Sequence, residues 1–147
     1  MAIYRRILFA VDLTDDSRAI GARACELASA LGAEIEILHV VEPLPLMVAD
    51  APEVMAPAML QTQDEIVRAV RVRLAALASE LGLPESAASV ELGNTQLEIV
   101  RAARERGADL IVLGAHERHG LSLLVDFTED AVLHKSPCDV LAVRVRA

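Results

Sequence analysis

The chain is predicted to form an α/β fold, a three-layer α/β/α sandwich around a five-stranded parallel sheet. Five short apolar segments alternate with four segments in which apolar residues recur at the helical period. The first apolar segment, 7–11, is continuous, as is typical of a strand buried on both faces. Alternation of strand and helix throughout favours one parallel sheet covered on both sides, and a single domain over residues 1–147.

Strands are predicted at 7–11, 34–41, 88–92, 110–113 and 140–145. The first helix is predicted from the stripe Ile20, Ala24, Leu27 and Leu31, and Gly32 is its expected stop. The second follows from an apolar stripe ended by Gly82 and Pro84, namely Ile66, Val70, Leu74, Leu77 and Leu81.

The last two helices have recognisable ends. The third is predicted to open with a capping box, since Thr95 is followed three residues later by Glu98, and to end at Gly107. The fourth is predicted from about Leu121 to Lys135, where Ser136-Pro137 closes it.

Composition excludes several classes of protein. Of 147 residues, 54% are hydrophobic and 24% charged, which is typical of a globular chain. The formal net charge of −8 repels phosphate backbones, and one tyrosine with two phenylalanines offers few stacking surfaces, so nucleic-acid binding is not expected. No apolar run reaches the roughly 20 residues that span a bilayer, and no signal-peptide pattern begins the sequence. We expect a cytoplasmic protein without membrane contact.

One segment departs from the regular pattern. Residues Glu42 to Pro57 contain four of the six prolines together with Met47 and Met55. This segment is too proline-rich for a regular helix and too apolar for a plain solvated linker. It is interpreted either as a crossover loop packed on the sheet edge or as a lid or partner-binding loop.

Ligands of doubly wound sheets bind beyond the carboxyl ends of the strands, where the winding reverses. Three loops lie at such ends, at 12–17, 40–42 and 114–120. If strands one and four are neighbours at the centre, the first and third of these loops meet. The candidate chemistry is therefore sought there.

The chain resembles the universal stress protein family in segments that occur in the family's order along nearly the whole sequence. These segments are 6–14, 38–41, 108–116 and 136–143. The resemblance implies a sheet ordered 3-2-1-4-5.

The nucleotide-binding branch of that family carries a glycine motif that cradles ATP phosphates with backbone N–H groups. Gly114 matches its first position and Thr128 its last, but Glu117 and Phe127 stand where two further glycines belong. Glycine would let the backbone take positive φ and approach the phosphates, whereas Phe127 adds bulk. The chain therefore looks more like the UspA-type branch, and no cofactor is expected.

The alternative is that ATP or AMP still binds. The resemblance then places Asp12 near the ribose and the backbone of Val40 against adenine, and it adds Ala10 and His116 to the possible nucleotide site. Asp12 also has a structural reading, in which it caps the first helix or braces the loop. Val40 would be core at a strand end in any case.

The sequence gives little support for a metal site, a phosphatase site or a thiol site. His116 and His119 are the only close histidine pair and have no partner at ligand spacing, so no metal site is expected. Acidic residues at 12, 15 and 16 could hold Mg²⁺ as in a phosphatase, but acids are favoured at a helix start by its dipole alone. The two cysteines, Cys25 and Cys138, are interpreted as buried small hydrophobes. No catalytic residue is assigned.

The fifth strand predicts a partner. In the order 3-2-1-4-5 it lies at the sheet edge and would leave backbone groups and valine side chains exposed. The resemblance implies that the strand pairs with its counterpart across a two-fold axis. We expect a homodimer with contact residues Val140, Leu141, Ala142, Val143 and Val145, or else an edge guarded by Arg144 and Arg146. Other protein partners stay unidentified.

Overall fold

Hydrophobic strands and amphipathic helices alternate through the computed structural model, which describes residues 2–43, 52–115 and 128–145. The strands are β1 (Arg6–Ala10), β2 (Glu34–Val41), β3 (Ala88–Leu92), β4 (Leu110–Ala115) and β5 (Asp139–Arg144). The helices are α1 (Ser17–Leu31), α2 (Pro52–Glu80), α3 (Thr95–Arg106) and α4 (Thr128–Lys135), with a short 3₁₀ turn at Glu85–Ala87. Each predicted strand is present to within two residues at either end.

The five strands form one parallel sheet in the order β3-β2-β1-β4-β5, which confirms the predicted fold class and strand order. β1 is central because it pairs with β2 on one side and with β4 on the other. β3 and β5 are the two edges. After β3 the chain crosses over β1 to form β4, so the winding direction reverses between β1 and β4.

Side chains of each central strand alternate between two apolar cores, one on each face of the sheet. Ile7 and Phe9 of β1 enter the core that α1 and α2 cover. Leu8 and Ala10 enter the core that α3 and α4 cover. These four side chains are at most 7% exposed, which is why β1 reads as a continuous apolar run. The sandwich therefore has three layers.

The helix ends follow from local chemistry. α1 ends at Gly32, which has a φ of 65°, a left-handed conformation that glycine adopts without strain. α3 ends in the same way at Gly107, as predicted. It also begins at Thr95 as predicted, but the capping box is wrong: the cap is Asn94, whose side chain accepts a hydrogen bond from the Leu97 N–H at 3.0 Å.

Two other predictions are corrected on α2. Residues 52–57 of the proline-rich segment belong to this helix, although a regular helix was not expected there. Proline is tolerated at the first helical position, where Pro52 lies, because the missing N–H has no partner in the first turn. Ile66 was predicted to be core but is exposed, whereas Val70, Leu74 and Leu77 are buried. The rest of the segment, 44–51, lies outside the described residues.

α4 ends at Lys135 as predicted, but the expected start near Leu121 lies outside the described residues. Within the described ranges, no helix is long and apolar enough to cross a membrane.

Candidate functional site

The carboxyl edge of the sheet brings several of the predicted nucleotide residues together. Ala10 ends β1 and pairs with Leu38 of β2, so Val40 lies one strand over and two residues further along. Gly114 lies near the end of β4, the other neighbour of β1. Three predicted positions are thus on adjacent strands at one edge. His116, Glu117 and Phe127 lie outside the described residues, and Thr128 is the first residue of α4.

Ala10 and Val40 are each 7% exposed and pack in the core beneath α3 and α4. Val40 is therefore strand-end core, as its structural reading predicted. A ligand at this edge would meet the backbone of these residues, since their side chains point into the protein.

Asp12 follows β1 and accepts three hydrogen bonds within its own loop. Its Oδ1 accepts from the N–H of Thr14 at 3.2 Å, from the hydroxyl of Thr14 at 3.0 Å and from the hydroxyl of Ser17 at 3.2 Å. Ser17 is a buried polar residue, 4% exposed, so this bond satisfies a hydroxyl that water does not reach freely. Of the two structural roles predicted for Asp12, the carboxylate braces the loop. The cap position of α1 belongs to Asp16, whose side chain makes no capping bond.

The residue after Asp12 has a strained backbone. Leu13 has a φ of 57°, the only left-handed non-glycine residue in the described parts of the chain. That conformation costs a β-carbon-bearing residue about 1 kcal/mol or more, so surrounding contacts must hold it. Arg73 of α2 donates to the Leu13 carbonyl at 2.8 Å, and the Leu13 side chain packs against the core beneath α1 and α2.

A second contact holds the loop from the other side. Nδ1 of His39, on β2, lies 2.6 Å from the carbonyl oxygen of Val11. A carbonyl can only accept, so Nδ1 carries the proton and donates. Sequence reasoning missed His39 and Arg73 as site residues, because a lone histidine in a strand and an arginine on a helix carry no motif.

The end of β2 is fixed to the start of α3. Oε1 of Glu42 accepts from the Thr95 hydroxyl at 3.0 Å and, more weakly, from the Thr95 N–H at 3.4 Å. The side chain predicted to cap α3 therefore bonds across the carboxyl edge instead. This contact sets where α3 begins relative to Val40 and Val41.

The described residues contain no cluster of three or more His, Cys, Asp or Glu side chains suited to a metal ion. His116 and His119 are not among those residues. Cys25 and Cys138 are free and half-buried, so they are not the fully buried side chains that were expected. Burial raises the pKa of both thiols, which lowers the thiolate fraction at neutral pH.

Four of the predicted dimer residues lie on β5 and Val145 follows its last residue. β5 pairs with β4 alone among the described strands. The expectation of exposed valine side chains is wrong. Val143 is 7% exposed and packs in the core beneath α1 and α2, while Val140 and Val145 are half-buried. The exposed apolar side chains of this strand are Leu141, at 38%, and Ala142.

Comparison with known proteins agrees with this geometry. The model of the universal stress protein family matches residues 3–144. Universal stress protein A homolog 2 of Coxiella burnetii is 34% identical over 144 residues, or 97% of each chain. Among solved structures, UspA from Lactobacillus plantarum is similar with a TM-score of 0.69 and 25% identity, over 98% of this chain and 100% of that one.

A crystal structure of a universal stress protein in complex with cAMP has a TM-score of 0.67, covering 96% of this chain and 97% of that one. Its identity of 21% shows a shared fold alone. The match over residues 3–144 and the 34% identity along almost the full length show more: this chain belongs to the universal stress protein family.

Proposed function

We propose that this protein acts without catalysis, as a homodimeric cytoplasmic module of a stress response. The observation that carries the proposal is the outer edge of β5, with which no other described strand pairs. The strand is paired with β4 from Asp139 to Arg144, and Leu141 and Ala142 are exposed beside the other edge. A bare edge with apolar side chains is a template for pairing with another strand.

In this proposal, a second copy of the chain supplies hydrogen-bonding partners for the backbone groups at the outer edge of β5. Two β5 strands related by a two-fold axis present the same surface to each other, so one self-complementary patch makes the whole contact. Arg144 is exposed near the end of the strand and leaves the centre of the contact to Leu141 and Ala142. Both sheets would then continue as one across the dimer.

Light scattering coupled to size-exclusion chromatography tests the dimer. We expect the parent to be dimeric at micromolar concentration and Leu141→Glu to raise its dissociation constant about 100-fold or more, because a carboxylate would be buried without a partner. Val72→Glu is the matched control: Val72 is 70% exposed on α2, and α2 contacts β3 at the opposite edge of the sheet. A monomeric parent, or equal effects of the two variants, would contradict the proposal.

The bonds of Asp12 support the non-catalytic part of the proposal. Its Oδ1 binds Thr14 twice and Ser17 once, which is the behaviour of a loop brace. A phosphatase nucleophile or magnesium ligand needs its oxygens directed at substrate or metal. We therefore expect no steady release of phosphate from ATP that Asp12→Ala abolishes.

A second candidate function is binding of an adenine nucleotide, ATP or AMP. It is favoured by one observation: Ala10, Val40 and Gly114 meet at one edge of the sheet, with Asp12 directly beyond β1. A family member of the same fold has been crystallised with cAMP, which shows that the fold can hold a nucleotide. In this site the backbone at Val40 would meet adenine, and Asp12 the ribose.

Calorimetric titration with ATP and Mg²⁺ separates the two candidates, since saturable micromolar binding would favour the second. We expect Glu117→Gly with Phe127→Gly to bind ATP more tightly than the parent, because two glycines restore the motif's access to phosphate. Glu117→Gln is the control that removes charge but not bulk. Unchanged affinity in the double variant would show that the loop sequence is not what limits binding.

A further inference from the structure

The loop between β1 and α1 is held by two side chains from other elements. His39 of β2 donates to the carbonyl of Val11, before Asp12. Arg73 of α2 donates to the carbonyl of Leu13, after Asp12, at 2.8 Å. The peptide groups on both sides of the candidate site's acidic residue are therefore fixed by tertiary contacts.

Leu13 shows why the second contact matters. Its φ of 57° is unfavourable for leucine, so the loop would relax toward a negative φ if nothing opposed the change. The same conformation brings the Thr14 N–H to Asp12 Oδ1 at 3.2 Å. The strain at Leu13 and the placement of the Asp12 carboxylate thus belong to one loop geometry.

We propose that Arg73 is a positioning residue for the candidate nucleotide site, keeping the Asp12 carboxylate at the carboxyl edge by holding the Leu13 carbonyl. The inference rests on the second candidate function, in which Asp12 meets the ribose. Arg73 itself acts through Leu13 and need not touch the ligand. Because the guanidinium reaches the loop from α2, its hydrogen bond to the Leu13 carbonyl links this helix to the candidate site.

Neighbouring charges are consistent with a specific contact. Arg18 at the start of α1 is paired with Glu80 of α2 at 3.7 Å, so these two helices are linked beside the loop by a separate ion pair. The positively charged guanidinium of Arg73 donates to the neutral carbonyl of Leu13. A charged donor makes a stronger hydrogen bond to a carbonyl than a neutral one does.

Amide hydrogen exchange of Thr14, measured by NMR on the full chain, tests the inference. We expect Arg73→Met to speed this exchange about fivefold, because the loop opens more often when the Leu13 carbonyl loses its donor. Exchange at Phe9, in the buried strand before the loop, should stay at the parent rate. Arg73→Lys should recover part of the protection, since the ammonium still donates.

Arg71→Met is the matched control. Arg71 is exposed on the same helix but lies at the groove beside β3, so its loss should leave Thr14 exchange unchanged. Equal Thr14 exchange in the Arg73→Met, Arg71→Met and parent proteins would overturn the inference. So would an equal acceleration at Thr14 and Phe9, which would indicate a general loss of stability.

Titration with ATP and Mg²⁺ then separates this inference from the function on which it rests. If the parent binds ATP, Arg73→Met should weaken binding about fivefold while Arg71→Met leaves it unchanged; equal affinities would refute the positioning role. If the parent binds no ATP, the nucleotide function is wrong and with it the role of Arg73 in a nucleotide site. Thr14 exchange still reports whether Arg73 holds the loop.

Discussion

At the carboxyl edge of the sheet Asp12 binds residues of its own loop, whereas at the amino edge Asp109 binds a segment distant in sequence. Asp109, just before β4, accepts from the N–H groups of Arg5 and Arg6 at 2.8 and 3.0 Å, across 104 and 103 positions of the chain. The bonds of Asp12 to Thr14 and Ser17 span two and five positions. One carboxylate joins two strands, and the other shapes a loop.

The side-chain contacts of α3 also differ from those of the Asp12 loop. Away from the loop, Arg106 at the end of α3 donates to Ser89 of β3 at 2.9 Å and pairs with Glu36 of β2 at 3.2 Å and Glu91 of β3 at 3.5 Å. At the carboxyl edge the loop instead contains the strained Leu13. Both edges thus have tertiary contacts, but among the described residues a strained non-glycine backbone is found only at the carboxyl edge, where a ligand is proposed. Strain of this kind is typical of functional loops.

The largest expected effect is the loss of Asp109. Asp109→Ala removes the acceptor of two backbone N–H groups and should lower the free energy of unfolding by about 2 kcal/mol, measured by urea denaturation. Asp12→Ala should cost less, about 1 kcal/mol, because water can replace its two exposed bonds to Thr14 and only the buried Ser17 hydroxyl loses a partner that water does not replace freely. If the two variants are equally destabilised, the two edges do not differ as the bonding pattern indicates.

The second prediction concerns pH. Desolvation raises the pKa of Asp109, but the N–H groups of Arg5 and Arg6 favour the carboxylate and leave the pKa below its ordinary value. A lowered native pKa stabilises the fold above the unfolded pKa of about 4, and this stabilisation is lost as pH falls through the native pKa. The stability difference between the parent and Asp109→Asn should therefore narrow as pH is lowered below about 4. A difference that stays constant to pH 2 would contradict it.

The sequence predicted the centre of the sheet well because β1 and β4 are apolar on both faces. Ile7, Phe9 and Val112 lie in continuous apolar runs of the kind that is typical of a strand buried between helix layers. The helix ends at Gly32 and Gly107 were also predictable, because glycine adopts the left-handed conformation of both positions without strain. The strand order came from the resemblance, not from periodicity.

The site was less predictable because its contacts are tertiary. No pattern near Arg73 indicates that its guanidinium reaches Leu13, sixty residues earlier. Thr95 has the spacing of a capping box, but Glu42 from another loop binds its hydroxyl, and Asn94 caps the helix instead. β5 was expected to expose its valines, yet Val143 packs in the core that α1 and α2 cover. Rules that use only neighbouring residues in the sequence cannot identify these partners.

The third prediction compares two arginines of the described surface. The Arg106 side chain is 27% exposed and has three partners, whereas that of Arg18 is 74% exposed and pairs with Glu80. Arg106→Met should lower the free energy of unfolding by about 1 kcal/mol, and Arg18→Met by less than about 0.5 kcal/mol, because exposed pairs are screened by water. Urea denaturation in low and high salt measures both. A larger loss for Arg18 would show that the burial of the side chain and the number of its partners do not rank these two arginines.

The smallest effect concerns the single tyrosine, whose phenol reports on the amino edge between β1 and β5. The Tyr4 hydroxyl donates to Asp139 Oδ2 at 2.8 Å, and this bond, with smaller contributions from desolvation and nearby charge, raises the pKa of Tyr4 above 10. A raised native pKa means that the bond stabilises the fold below the unfolded pKa, and that this is lost as pH rises through the native one. Asp139→Ala should therefore shift the phenolate absorbance titration of Tyr4 toward pH 10, while Glu80→Gln, on α2, leaves it in place. An unchanged titration in Asp139→Ala would contradict the bond between Tyr4 and Asp139 and with it a side-chain contact of β5 at the amino edge.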